Sequence, residues 1–301
     1  MRILYCASEA NPFCGSGGLA DVAGSLPHTL CRKGQDCRIV VPLYGTIPQE
    51  LKNSMNFITN FTVPVAWRHQ YCGLFWARWN DCTYYFIDNE YYFKRGTLYG
   101  HYDDAERFAF FSRAILEMLP YIDFHPDIIH CNDWQTALVP VYYYLFYSHR
   151  PWYYNIKSLF TIHNIQYQGE YGWEVNTECV GIPASETKIL EMNGKLNMMK
   201  GAIETDYQLY RNYSKDDMSG KGECKRALQE RLCLEQRWDV PLVGMVTRLV
   251  AHKGLDLVRM GLEELMDTEN MQFVILGSGD KEYEDYFNYM QAKYPGRLCF
   301  C

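Results

Sequence analysis

The residues best suited to chemistry in this 301-residue chain gather at a few points. His163 follows the apolar run Lys157 to Ile162 and precedes Asn164, while Asp133 ends an earlier run, Asp127 to Asp133. Open α/β sheets bind ligands at the carboxyl ends of parallel strands, so an imidazole and a carboxylate ending two such strands face one crevice. A second set lies downstream. Arg248 follows the strand-like run Leu242 to Val246, and Lys253 immediately precedes a helical run from Gly254. Two cations between a strand end and a helix start suit a diphosphate, whose negative charge they and the helix dipole both favour. Two glycine loops complete the set, Gly15-Ser16-Gly17-Gly18-Leu19-Ala20 and Gly277-Ser278-Gly279-Asp280. Glycines ahead of a helix let backbone N–H groups approach an anion.

Each feature also has a plain structural reading: a packed core histidine, surface cations, a tight turn. The first loop fits the G-x-G-x-x-A dinucleotide pattern. Seven residues, Ser8 to Cys14, separate it from the preceding strand, however, and the second strand runs into Val41-Pro42 without the carboxylate that would hold a ribose. A nicotinamide-dependent oxidoreductase is therefore disfavoured. The aromatic groups Tyr84-Tyr85, Tyr91-Tyr92-Phe93 and Tyr142-Tyr143-Tyr144 suit stacking on sugars, but packing is the favoured reading.

Short β-rich runs alternate with helical runs, the pattern of a parallel sheet covered by helices. Strands are expected at Arg2 to Ala7, Cys37 to Val41, Thr83 to Ile87, Asp127 to Asp133 and Lys157 to Ile162. Helices are expected after the Gly15-Ser16-Gly17-Gly18 loop, from Leu19 to about Arg32 and bent at Pro27, from Asp103 to Pro120 with Asp103 and Glu106 as a capping box, and from Trp134 to about Tyr147. Charged sequence around Lys215-Asp216-Asp217 and a helix Lys221 to Leu232 read as a linker. A second α/β set follows: strands at Leu242 to Val246, Gln272 to Leu276 and Arg297 to Cys301, with helices Gly254 to Met266 and Glu282 to Tyr294.

Composition bounds the function. Lys and Arg number 29 against 36 Asp and Glu, a net charge of −7, and no basic run forms an electrostatic footprint for nucleic acid. Nothing resembles a membrane span or a secretory leader, so a cytoplasmic protein is expected. The 12 cysteines are scattered without a CxxC pair, which predicts buried free thiols such as Cys6, Cys37, Cys82 and Cys131, and no metal site.

The ordered set Ser8-Glu9, Gly17-Gly18-Leu19-Ala20-Asp21-Val22, Leu98-Tyr99-Gly100, Asn132-Asp133-Trp134, Thr161-Ile162-His163-Asn164, Gly244-Met245-Val246-Thr247-Arg248-Leu249 with Lys253-Gly254, and Leu276-Gly277-Ser278-Gly279-Asp280 resembles the bacterial glycogen synthase and plant starch synthase family. The resemblance implies an α/β fold of two Rossmann-like domains facing a cleft, the GT-B arrangement, with residues 1–206 on the acceptor side and 207–301 forming an incomplete nucleotide-sugar domain. It implies glucosyl transfer from ADP-glucose to an α-1,4-glucan with retention of configuration and no cofactor. Carried over residue by residue, His163, Asp133 and Asp21 would be catalytic. Gly17, Gly18, Arg248, Lys253, Gly277, Gly279 and Asp280 would bind the donor, and Glu9, Tyr99 and Asn164 would line the acceptor side. Three departures stand out. Gly15 occupies the lysine position of the family's Lys-x-Gly-Gly loop, Glu204-Thr205-Asp206-Tyr207 joins the two sides where the family has a longer stretch, and a glutamate-bearing segment beyond Cys301 has no counterpart. A non-catalytic remnant that binds glucan or ADP weakly is the alternative of a different class.

Overall fold

The computed structural model describes residues 1–205, 211, 213 and 217–301; the expected junction at Asp206-Tyr207 and the Lys215-Asp216 pair lie outside them. The chain divides into two compact units, Met1–Gln208 and Leu209–Cys301.

The first unit is built on a seven-stranded sheet of order β3-β4-β5-β2-β1-β6-β7. These strands are β1 Arg2–Cys6, β2 Asp36–Pro42, β3 Asn56–Val65, β4 Arg68–Trp79, β5 Cys82–Asp88, β6 Ile128–Asn132 and β7 Lys157–Thr161. Strands β5, β2, β1, β6 and β7 run parallel, while β3 and β4 add an antiparallel edge. The central strands are apolar on both faces because helices cover both, so Leu4, Ile39, Val40 and Cys131 are fully buried. The register sets Cys6 beside Cys131 and Asn132 beside Thr161, which brings the polar strand ends of β6 and β7 together.

Three local expectations are corrected. The helix after the glycine loop is two helices, α1 Gly18–Ala23 and α2 Leu26–Arg32, divided at Gly24-Ser25. Pro27 sits in the first turn of α2, where its missing N–H has no intrahelical partner to lose, so it starts a helix and does not bend one. The capping box at Asp103 is absent: α3 Asp104–Glu117 has no side-chain cap. Asp103 instead pairs with Arg95 at 2.8 Å, and Glu106 takes Arg68 at 3.0 Å, because long cations are in reach and outcompete a local amide. The β3–β4 hairpin was not expected at all. Most of the aromatic groups pack as expected, with Tyr84, Tyr85, Tyr92, Phe93, Tyr142 and Tyr143 buried and Tyr91 and Tyr144 exposed.

The second unit carries α4 Ser219–Arg231 and a parallel sheet β8-β9-β10, formed by β8 Leu242–Val246, β9 Gln272–Leu276 and β10 Leu298–Phe300. Helices α5 Leu255–Thr268 and α6 Lys281–Lys293 bury Leu262, Met266, Phe287 and Met290 against it. Val246, Leu257 and Met260 remain more than 70% exposed. All 12 cysteines are free, and Cys6, Cys37, Cys82 and Cys131 are buried. Among the described residues no group of His, Cys, Asp or Glu is arranged to hold a metal, and no helix is long and apolar enough to cross a membrane.

Candidate functional site

At the carboxyl ends of β6 and β7 the chain builds a compact polar cluster. Asp133 leaves β6 with φ 58°, in the left-handed region that Asp tolerates better than most residues. That turn directs its buried carboxylate at the loop after β7, where Oδ1 accepts the backbone N–H of His163 at 2.7 Å and of Asn164 at 3.2 Å. The His163 ring is exposed on one side, and on the other its Nε2 lies 2.9 Å from Oδ1 of the fully buried Asn132. Asn164 closes the loop by accepting the N–H of Gln166 at 3.0 Å. Sequence reasoning placed Asp133 and His163 at one crevice; in the structure the carboxylate holds the histidine's backbone, and the asparagine holds its ring.

Electrostatics follow burial. Desolvation lowers the His163 pKa below its ordinary value, against the opposing pull of Asp133. Burial raises that of Asp133, which the two amides only partly offset. Beneath them His130 is pushed down to about 4, first by burial and then by the charge of His163, and its Nε2 lies 2.8 Å from Thr161 Oγ1. Both imidazoles are therefore neutral near pH 7.

The first glycine loop is organised by Glu9. Its buried carboxylate accepts the N–H of Ser16 and Gly17, the latter at 3.2 Å, and the Tyr99 hydroxyl at 2.8 Å, with Tyr99 also 2.7 Å from Ser8 Oγ. Two of the loop's amides are thus already committed within the chain. Glu9 and Tyr99 stand together inside the loop's support. Asp21 is exposed and takes the Asn11 amide at 2.8 Å. Gly17 and Gly18 face open space, whereas a Cβ at Gly15 would fall 2.7 Å from Ala20 Cβ and 2.9 Å from Asn11 Oδ1. Glycine at position 15 is therefore a packing requirement of this loop.

In the second unit Arg248 and Lys253 are exposed, and their side chains make no hydrogen bond or ion pair to a described residue. Lys253 stands beside Gly254, whose φ of 74° turns the chain into α5. The loops 247–249 and 277–280 run side by side: Leu249 pairs with Gly279, and Asp280 donates its N–H to Leu249 O at 2.7 Å. A Cβ at Gly277 would meet Thr247 O at 2.2 Å, and one at Gly279 would meet Leu249 O at 2.3 Å. These two glycines serve loop-to-loop approach, and their N–H groups go to Cys301 O and Glu284 Oε1.

Sequence reasoning did not single out an open cavity of about 320 Å³ lined by Trp134, Tyr167, Gln168 and Tyr171 among others, next to Asp133 in the chain. Its signal was the aromatic spacing after Asn164. A cavity of about 270 Å³ at the amino ends of β1 and β2 is lined by Arg2 and Arg38, which are already paired with Asp127 and Asp36.

A family profile described as the starch synthase catalytic domain matches residues 2–209. The chain is 41% identical to a glycogen synthase of Alkaliphilus metalliredigens, covering 99% of this chain and 74% of that protein, and 41% identical to one of Geobacillus thermodenitrificans, covering 99% and 72%. The first match runs over 351 aligned positions for a chain of 301 residues, so at least 50 of them have no counterpart here. Among solved structures it is similar to the catalytic domain of starch synthase IV from Arabidopsis thaliana bound to ADP and acarbose, at 26% identity and a TM-score of 0.61, over 99% of this chain and 73% of that one.

Proposed function

We propose, from the premise that this chain belongs to the glycogen synthase and starch synthase family of glycosyltransferases, that it moves glucose from ADP-glucose to the non-reducing end of an α-1,4-glucan with retention of configuration. The observation that carries the choice of nucleotide is the starch synthase of like fold that binds ADP, together with Arg248 and Lys253, whose exposed side chains have no partner among the described residues. In this reading residues 1–206 serve the acceptor and 207–301 the nucleotide, in the cytoplasm.

The C1–O bond to the diphosphate breaks, a bond from C1 to the acceptor hydroxyl oxygen forms, and the hydroxyl proton leaves with ADP. Negative charge grows on the leaving phosphate as this happens. Arg248 and Lys253, drawn onto the diphosphate as the donor binds, stabilise that charge more than they stabilise the bound donor, which is what accelerates the step. His163, with its backbone held by Asp133, contacts the glucosyl group, Asp133 and Asp21 are assigned to the same reaction centre, and Asn164 with Glu9 and Tyr99 to the acceptor side. Gly17 and Gly18, which leave open space before α1, and the Gly277-Ser278-Gly279-Asp280 loop border the donor. Trp134, Tyr167 and Tyr171 supply apolar faces on which glucan rings stack.

Calorimetry with ADP tests the reading. Replacing both Arg248 and Lys253 with Ala should weaken binding by roughly a hundredfold, the order expected when two charge-assisted hydrogen bonds are lost with some coupling. Unchanged affinity would overturn the assignment.

A further inference from the structure

Asn132 does more than hold the His163 ring in place. It is fully buried at the end of β6, and its amide is saturated. Nδ2 lies 3.1 Å from Cys6 O and 3.2 Å from His130 O, while Oδ1 lies 2.9 Å from the Tyr5 hydroxyl and 2.9 Å from His163 Nε2. Backbone carbonyls only accept, so the amide nitrogen must face Cys6 and His130; turned over, the amide oxygen would confront two carbonyl oxygens. With that orientation set, Oδ1 can only accept, and both groups that face it must donate. Tyr5 keeps its proton because burial pushes its pKa well up. His163 Nε2 must then carry a hydrogen. Since burial lowers the His163 pKa, the ring near pH 7 is neutral and holds one proton. Nδ1 is left with a lone pair and no hydrogen-bond partner among the described residues.

We propose that Asn132, seconded by Tyr5, is a positioning residue that locks His163 as its Nε2–H tautomer, so that Nδ1 accepts a hydrogen bond from a hydroxyl of the transferred sugar. The first half stands on the hydrogen-bond geometry alone; the second rests on the glucosyl-transfer reading. A histidine so fixed cannot donate to the sugar while neutral. Its contribution is to orient the glucosyl group, and no rotamer or tautomer need be selected when substrate arrives.

The test is nitrogen-15 NMR of the full chain, with transfer kinetics beside it. The unmodified protein should show one His163 ring proton, bonded to Nε2 and slow to exchange with water. Asn132→Leu, which fills the space and removes the acceptor, should lose that slow exchange, while Tyr5→Phe should keep it. In Asn132→Leu, kcat should fall about tenfold with donor KM within about twofold. A His163 proton on Nδ1 in the unmodified protein would overturn the lock, and this result needs no variant to fold. Unchanged exchange of the Nε2 proton in a folded Asn132→Leu protein would overturn the role of Asn132. A protected Nε2 proton in a chain that transfers no glucose would uphold the lock and sink the glucosyl-transfer reading instead.

Discussion

In the first unit each candidate polar side chain is held by another part of the chain, whereas in the second the two candidate cations are held by nothing described. Glu9 ties Tyr99 to the glycine loop, Asp133 ties down the His163 loop, and Asn132 fixes the His163 ring. Arg248 and Lys253 stand exposed beside loops that are themselves tightly juxtaposed. The difference matches the chemistry each would serve. A neutral sugar gives little energy for arranging its own site, so the groups that contact it must be set in advance. A diphosphate brings its own charge and can draw in long cations, at the entropic expense of ordering them. The cores differ in the same direction: the first unit closes a wide sheet on both faces, while the second buries few side chains and leaves Val246, Leu257 and Met260 exposed.

This contrast can be broken at single positions. The largest effect should come from Gly279→Ala, because its Cβ would lie 2.3 Å from Leu249 O and meet only backbone. We expect a loss of about 3 kcal/mol or more, confined to the second unit. Calorimetric unfolding should show one transition shifted and the other in place; a single shared shift would mean that the units do not unfold separately.

Acid should act on the first unit next. His130 binds a proton near 6.5 when unfolded but only near 4 when folded, so between those values the unfolded state holds the extra proton. Stability from this residue is complete above pH 6.5 and falls as pH drops through the window, by about 2–3 kcal/mol at pH 4.5. Denaturant midpoints measured from pH 7 to pH 4.5 read this slope, and His130→Gln should flatten it. An equally steep loss in that variant would place the acid sensitivity elsewhere.

Asp133→Ala should cost the first unit about 1–3 kcal/mol, since two amides lose their acceptor and alanine is strained at φ 58°. Asp133→Asn keeps an acceptor and tolerates that conformation, so it should cost about half as much by urea denaturation. Equal costs would show that the charge matters more than the geometry. The smallest effect belongs to Gly17→Ala, whose Cβ meets nothing within 4 Å in extended backbone. Stability should stay within about 0.5 kcal/mol, and a marked loss would mean that the loop is more crowded than this structure has it.

Much of this was legible before any coordinates. Apolar runs ending in polar residues marked β6 and β7, and the alternation of β and α runs marked the sheet class, because burial on both faces leaves a continuous apolar signature. The β3–β4 hairpin left no comparable mark. Its turn passes through Ala66 at φ 49° and Trp67, without the Asn or Gly that usually announces a positive φ. Asn132 was visible as part of a motif but not as the ring's anchor, since its other partner, Tyr5, lies 127 positions away and meets it only through the β1–β6 pairing. The hold of Glu9 on the glycine loop was hidden for a related reason: only the folded loop shows it accepting the amides of Ser16 and Gly17.

The central claim is that a prearranged first unit and an anion-seeking second unit together make a glucosyltransferase. The most direct measurement follows labelled glucose from ADP-glucose into glycogen with the 301-residue chain and its His163→Ala variant, the new linkage being read by NMR. The account predicts α-1,4-linked glucose from the unmodified chain and a kcat at least tenfold lower in the variant, with ADP affinity little changed. No incorporation by a folded, ADP-binding chain, or equal rates for the two proteins, would contradict it.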